Sequence, residues 1–176
     1  DAAVSGVDEC VVAPGTYHET INFLGKAITV RSSGGADVTT IDGSGLNSSV
    51  VTCTRFEGPD TVLDGFTITG GTGDYAAGFG TSVGGGMLNI KATPTVVNCV
   101  IIRNTAGNGG GMFNSEASPT ISDCLFVENT ASSGGGGGIS NSIASSPTLT
   151  ECHFIANRAA CCGGGMENYA LSNPLV

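Results

Sequence analysis

The sequence predicts an all-β chain wound as a parallel β-helix of roughly six coils. Three observations point there. The C-terminal half repeats itself with a period of about 25 to 28 residues, as a stacked solenoid does. Each copy carries a proline and at least three consecutive glycines, which rules out a helical repeat. What lies between is short and β-branched, as in Val96-Val97, Val100 to Ile102, Phe126-Val127 and Phe154-Ile155.

The copies align column by column. "TPTVVNCVIIRNTAGNGGGMFN" runs from Thr93 to Asn114, "SPTISDCLFVENTASSGGGGGISN" from Ser118 to Asn141, and "SPTLTECHFIANRAACCGGGMEN" from Ser146 to Asn168. Pro94, Pro119, Pro147 and Pro174 mark the period. Cys99, Cys124 and Cys152 share a column, as do Asn104, Asn129 and Asn157. A second asparagine column is Asn89, Asn114, Asn141 and Asn168, with Met87, Met112, Ile139 and Met166 two residues earlier. Stacked strands lie about 4.8 Å apart, so buried amides in one column can hydrogen-bond along it. The methionine column reads as core, because copper-binding thioethers would need partner ligands that are missing.

The apolar residues three before and two after each column cysteine are Val96/Ile101, Ile121/Phe126 and Leu149/Phe154. A strand alternates every two residues, so this spacing predicts a corner just before the cysteine. The glycine run Gly134 to Gly138 is predicted to be another tight corner, with extra residues inserted, in preference to a flexible linker. Residues 1–82 read as degenerate opening coils and 83–176 as regular repeats. In the first part, "VVAPGTYHETINF" reads as strand, Pro-Gly turn, strand. "KAITVRSSGGADVTTIDGSG" and "TVLDGFTITGG" read as coil strands ending in turns.

Composition narrows the partners. The formal net charge is −9 with six Lys plus Arg, which argues against nucleic acid and anionic membranes. No apolar stretch is long enough to span a bilayer. The first residues, "DAAVSGVDEC", lack the charged and apolar regions of a targeting segment. The last, "SNPLV", begin a new copy without a polar cap. Three readings follow: a fragment, end-to-end self-association into a filament, or capping by another chain. Seven cysteines make an odd number, and their spacing does not read as zinc.

The repeats resemble those of chlamydial polymorphic outer-membrane proteins. The residues concerned are Phe126-x-x-Asn129-x-Ala131 and Phe154-x-x-Asn157-x-Ala159, followed by Gly-Gly-Gly-Ile or Gly-Gly-Gly-Met. Glycine stands where that family has the alanine of Gly-Gly-Ala-Ile. "APGTYHETINFLGKAITVRSSGG" is similar to the first coils of pectin-lyase-like proteins. The resemblance implies a right-handed parallel β-helix, exported to the cell surface or exterior. It does not choose between adhesive modules and carbohydrate-active enzymes, both of which use this fold.

The outward positions supply the candidate chemistry. Asn98, Asp123 and Glu151 each precede a column cysteine, and His153 follows two residues after Glu151. Asp123 and Glu151, one coil apart, are the candidate acid and nucleophile for a glycosidic bond, with His153 as base. The competing reading is a solvated solenoid face. Asn98, Arg103 and Glu128 are the binding candidates on the same surface. The pectin-esterase motifs implied by the resemblance are missing. Arg103 lies near Asp123 without the aspartate cluster of a pectate lyase. His18 and Glu19 read as structural. Asp42 and Asp64 precede glycines and read as turn residues, with Ca²⁺ as the alternative. The cysteine column reads as a stack of buried thiols. Cys161 and Cys162, adjacent in a corner, are candidates for an exposed thiol or a disulfide. Thr95, Thr120 and Thr148 form too narrow an array to bind ice.

The expected function is therefore a structural or adhesive surface module that binds a glycan or another surface protein. A polysaccharide lyase or glycoside hydrolase is the alternative, and a filament subunit the third reading.

Overall fold

The computed structural model describes residues 8–176; Asp1–Val7, the start of the stretch read for a targeting segment, lie outside the described residues. Among the described residues there are strands and turns and no helix, so no helix is long and apolar enough to cross a membrane. Three six-stranded parallel sheets run along the molecule. The first stacks Glu9–Val12, Thr29–Ser32, Val62–Asp64, Thr95–Val97, Thr120–Ser122 and Thr148–Thr150. The second stacks Gly15–Tyr17, Thr39–Asp42, Thr67–Thr69, Val100–Ile102, Leu125–Val127 and His153–Ile155. The third stacks Ile21–Asn22, Val51–Cys53, Met87–Ile90, Met112–Ser115, Ile139–Ser142 and Met166–Asn168. Each coil gives one strand to each sheet. This is the parallel β-helix that the repeats predict.

The register gives the coil lengths. Thr95 pairs with Thr120, Thr120 with Thr148, and Thr148 bridges to Leu175, so the regular coils take 25, 28 and 27 residues. Two of the extra residues in the 28-residue coil lie in the glycine run, between the pairs Thr105↔Thr130 and Met112↔Ile139. The earlier coils depart from this period. Glu9 pairs with Thr29, Thr29 with Val62 and Val62 with Thr95, giving 20, 33 and 33 residues. The second coil is lengthened by turns at 33–38 and 54–61. The third carries an antiparallel hairpin, Asp74–Ala76 with Thr81–Val83, that the sequence did not reveal.

One apolar core fills the coils. Val96, Ile101, Ile121, Phe126 and Leu149 are buried in it, and the Phe126 and Phe154 rings stack 5.0 Å apart at 8°. Burying each such side chain contributes roughly 1.5–3 kcal/mol. The corner before each cysteine is present. Asn98, Asp123 and Glu151 have φ of 53°, 53° and 51°, between strands of the first and second sheets. Five residues on, Arg103, Glu128 and Ala156 form a second left-handed corner at 54°, 52° and 53°.

Both asparagine columns are hydrogen-bonded ladders. Asn89 donates to Asn114, Asn114 to Asn141 and Asn141 to Asn168, at 2.8–2.9 Å. This ladder ends at Cys53, which pairs with Asn89 and leaves its Oδ1 as a buried acceptor without a partner. In the other ladder Asn104 donates to Asn129 and Asn129 to Asn157. Here the side chains also bond main-chain groups: Asn129 Oδ1 accepts from the Asn104 amide at the corner, and Asn104 Nδ2 and Asn129 Nδ2 donate to the strand carbonyls of Ile68 and Ile101.

Candidate functional site

The residues singled out by sequence lie on exposed corners and strand ends. Asp123 and Glu151 are exposed on neighbouring coils, each in the left-handed corner conformation. Asn98, the third member of that corner, donates to Asp64 Oδ1 at 2.8 Å. Glu151 and His153 line an open groove of about 460 Å³ with Thr148, Thr150 and Leu175; Asp123 is not part of its lining. Arg103 Nε donates to Glu128 Oε2 at 2.8 Å, and both border a shallow depression of about 260 Å³ with Arg158. An exposed ion pair of this kind contributes little to stability.

Asp42 and Asp64 belong to different sheets and have separate partners. Hydrogen bonds from the Ser44 hydroxyl and amide hold the Asp42 carboxyl below its ordinary range, as in an Asx turn. His18 Nδ1 lies 3.4 Å from Asp42 Oδ2. Among the described residues, neither aspartate joins two further side chains able to hold a metal ion.

The cleft with both aromatic and polar lining is elsewhere, on the outer face of the third sheet. Along that face the residue between the methionine and asparagine columns is Leu88, Phe113, Ser140 and Glu167 in successive coils. The first two are buried because the hairpin folds over them. Val83, Leu88 and Phe113 form a second apolar cluster with Phe79 and Ala76, and the Phe79 and Phe113 rings meet edge to face at 4.9 Å and 76°. Beyond the hairpin the cover stops. A cleft of about 230 Å³ opens there, lined by Phe79, Asn108, Ser140, Ser142, Glu167 and Tyr169, with Cys161 at its edge. Tyr169 is 68% exposed.

Glu167 is fixed from two sides. Ser140 Oγ donates to its Oε2 at 3.3 Å. A Cβ on Gly135 would lie 2.3 Å from its carboxyl carbon, so the glycine makes room for the acid. One sign of this cleft is legible in the sequence. Leu88 and Phe113 alternate outward on strands whose neighbouring coils carry Ser140 and Glu167, and outward apolar residues of that size need a cover.

All seven cysteines are unpaired. Cys99 and Cys124 donate to strand carbonyls inside the core. The contact with Cys99, and burial, push the Cys124 thiol far up; burial does the same to Cys53 and raises the Cys152 thiol. Cys161 and Cys162 are exposed, with Sγ atoms 2.7 Å apart. The Cys161 and Glu167 side chains push the Cys162 thiol up to about 12. Thiolates are the reactive form. Alkylation followed by mass mapping is therefore expected to label Cys10 and Cys161 first in the native protein. Cys152 and Cys162 should follow slowly, and Cys53, Cys99 and Cys124 should react only after denaturation. Rapid labelling of Cys99 or Cys124 in the native protein would contradict the packed thiol ladder.

Comparison with protein-family models, curated proteins and solved structures gives no match to this chain, so its function has to be argued from these side chains.

Proposed function

We propose that this protein is an extracellular or cell-surface adhesive module, and that the cleft beside the hairpin holds a single sugar residue of a glycan. The carrying observation is the lining itself. The aromatic rings of Phe79 and Tyr169 line the same cleft as the hydrogen-bonding groups of Asn108, Ser140, Ser142 and Glu167. A sugar ring presents the complementary chemistry, with C–H groups on its faces and hydroxyls at its edge. Aromatic faces carry negative charge density that favours such C–H groups. Its volume of about 230 Å³ is below the roughly 300–1,000 Å³ typical of drug-sized ligand sites. That suits one terminal residue better than an internal stretch of polysaccharide. The long faces of the β-helix then act as a rigid spacer. The resemblance of the repeats to those of outer-membrane proteins supports the location.

A glycan array followed by calorimetry tests this reading. A defined terminal sugar is expected to bind, and Tyr169→Ala to weaken it by about tenfold, about 1.4 kcal/mol. Tyr169 is the informative position because it is exposed, whereas Phe79→Ala also loosens the hairpin. No binding on the array, or binding indifferent to Tyr169→Ala, overturns the assignment. The carbohydrate-active enzyme remains the second reading, supported by Glu151 and His153 in one groove. Cleavage of an arrayed glycan, lost in Glu151→Ala, would favour it.

A further inference from the structure

Cys161, Cys162 and Glu167 converge at the edge of the cleft. One ligand atom from each lies within 4.8 Å of the others. The fold brings them together. The strand Arg158–Ala159 leads into the glycine corner, and Met166–Asn168 returns with Glu167 on its outer face. The corner backbone is held by Cys161 N donating to Gly134 O, and by Gly136 N donating to Gly163 O. Side chains of consecutive residues diverge on an extended strand. Here Cys162 has φ of 61°, and the two sulfurs meet instead.

We propose that Cys161, Cys162 and Glu167 form a binding site for one thiophilic divalent cation of the zinc and cadmium class. Two thiolates and one carboxylate are a borderline-soft donor set. Calcium and magnesium want six or more oxygens, which these residues do not offer. Three protein ligands leave a fourth position for water or a ligand in the adjacent cleft. The carboxylate is already oriented by Ser140, as ligating carboxylates commonly are by a hydrogen-bonding neighbour. Tetrahedral coordination at about 2.3 Å per sulfur separates the two sulfurs by about 3.7 Å. They must therefore part by about 1 Å, a rotation open to exposed side chains on a corner.

The competing fate of adjacent cysteines is a disulfide with each other. Consecutive Cα atoms across a trans peptide are about 3.8 Å apart, whereas disulfides bridge about 4.4–6.8 Å. A Cys161–Cys162 bond is thus strained and easily reduced, which favours the dithiol that a cation needs.

The test is titration of the whole chain with Cd²⁺ alone, under a phosphine reductant and without glycan, so that it is independent of sugar binding. One ion per chain by calorimetry is expected, with a thiolate-to-cadmium absorption band in the ultraviolet. Zn²⁺ should displace the band. Cys162→Ser should abolish it, and Glu167→Gln should weaken binding by about tenfold or more. Cys10→Ser should change neither, and circular dichroism should show every variant folded. The proposal is overturned by absence of the band, by a band that survives Cys161→Ser or Cys162→Ser, or by affinity indifferent to Glu167→Gln. It is equally overturned if intact mass shows this pair two hydrogens lighter and resistant to the phosphine.

Discussion

Gly110→Ala is expected to destabilise the protein by more than about 3 kcal/mol, while Gly78→Ala is neutral or stabilises by about 0.4–1 kcal/mol. The difference is steric. A Cβ on Gly110 would lie 2.4 Å from the carbonyl oxygen of Thr130, 2.5 Å from its carbon and 2.6 Å from its nitrogen. All three are backbone atoms, and none can rotate away. Nor can the coils part. Gly110 N donates to Gly136 O, Gly86 N donates to Gly110 O, and Thr130 N donates to Asn104 O, all at 2.9–3.2 Å. Accommodating the methyl means breaking ladder bonds on both sides. Gly78, near the tip of the hairpin, would meet nothing within 4 Å. Domains are stable by only about 5–15 kcal/mol, so the loss at position 110 is a large fraction of the total. Urea denaturation followed by circular dichroism measures both variants. Equal stability of Gly110→Ala and the parent would sink the packed-corner account and restore the flexible-linker reading of the glycine runs.

The same stacking decides what could be read from the sequence. In a β-helix each residue's neighbours are its own equivalents in the coils above and below. A ladder such as Asn114–Asn141–Asn168 therefore writes the same letter at the same place in each copy. The corner before each cysteine was legible because Val96 and Ile101 both had to face inward at odd spacing. Features that break the repeat leave no column to read. The hairpin Asp74–Val83 occurs once, and so does the Phe79 side chain that it brings over Phe113. The cleft is built from such exceptions. Asp123 and Glu151 illustrate the converse. Their column position reports the conformation of a corner, where an Asn also stands, and recurrence alone gives them no shared chemistry. Cys161 and Cys162 were visible as a pair. Nothing in the sequence ties Glu167 to them, because the turn of the glycine corner, which closes the gap, is not a property of any one residue.

Asn129→Ala is expected to cost about 3–5 kcal/mol, against about 1–2 kcal/mol for Asn157→Ala one coil further on. Asn129 stands at an interior rung. Its Oδ1 accepts from the main-chain amide of Asn104 at 3.0 Å and from Asn104 Nδ2 at 3.2 Å. Its Nδ2 donates to Ile101 O at 2.8 Å and to Asn157 Oδ1 at 3.0 Å. Truncation removes all four bonds: Asn104 Nδ2 keeps Ile68 O and Asn157 Oδ1 keeps the Asn129 main-chain amide, but the Asn104 amide is left bare, and Asn104, Ile101 and Asn129 are all fully buried. Each buried group left without a partner costs about 1–3 kcal/mol, reduced where a neighbour or water can relax into the space. Asn157 is only partly buried, so water can reach the groups its loss uncovers. The gradient between the two is the informative quantity, because both substitutions remove the same atoms from the same column. If it is absent, side-chain packing alone accounts for the column. If it is present, the asparagines act as side-chain substitutes for main-chain bonds. At the left-handed residues Arg103 and Glu128 the regular strands end, and beside the main-chain bonds from Arg103 N to Val127 O and from Glu128 N to Ile155 O the amide ladder adds a side-chain connection between coils around the corner.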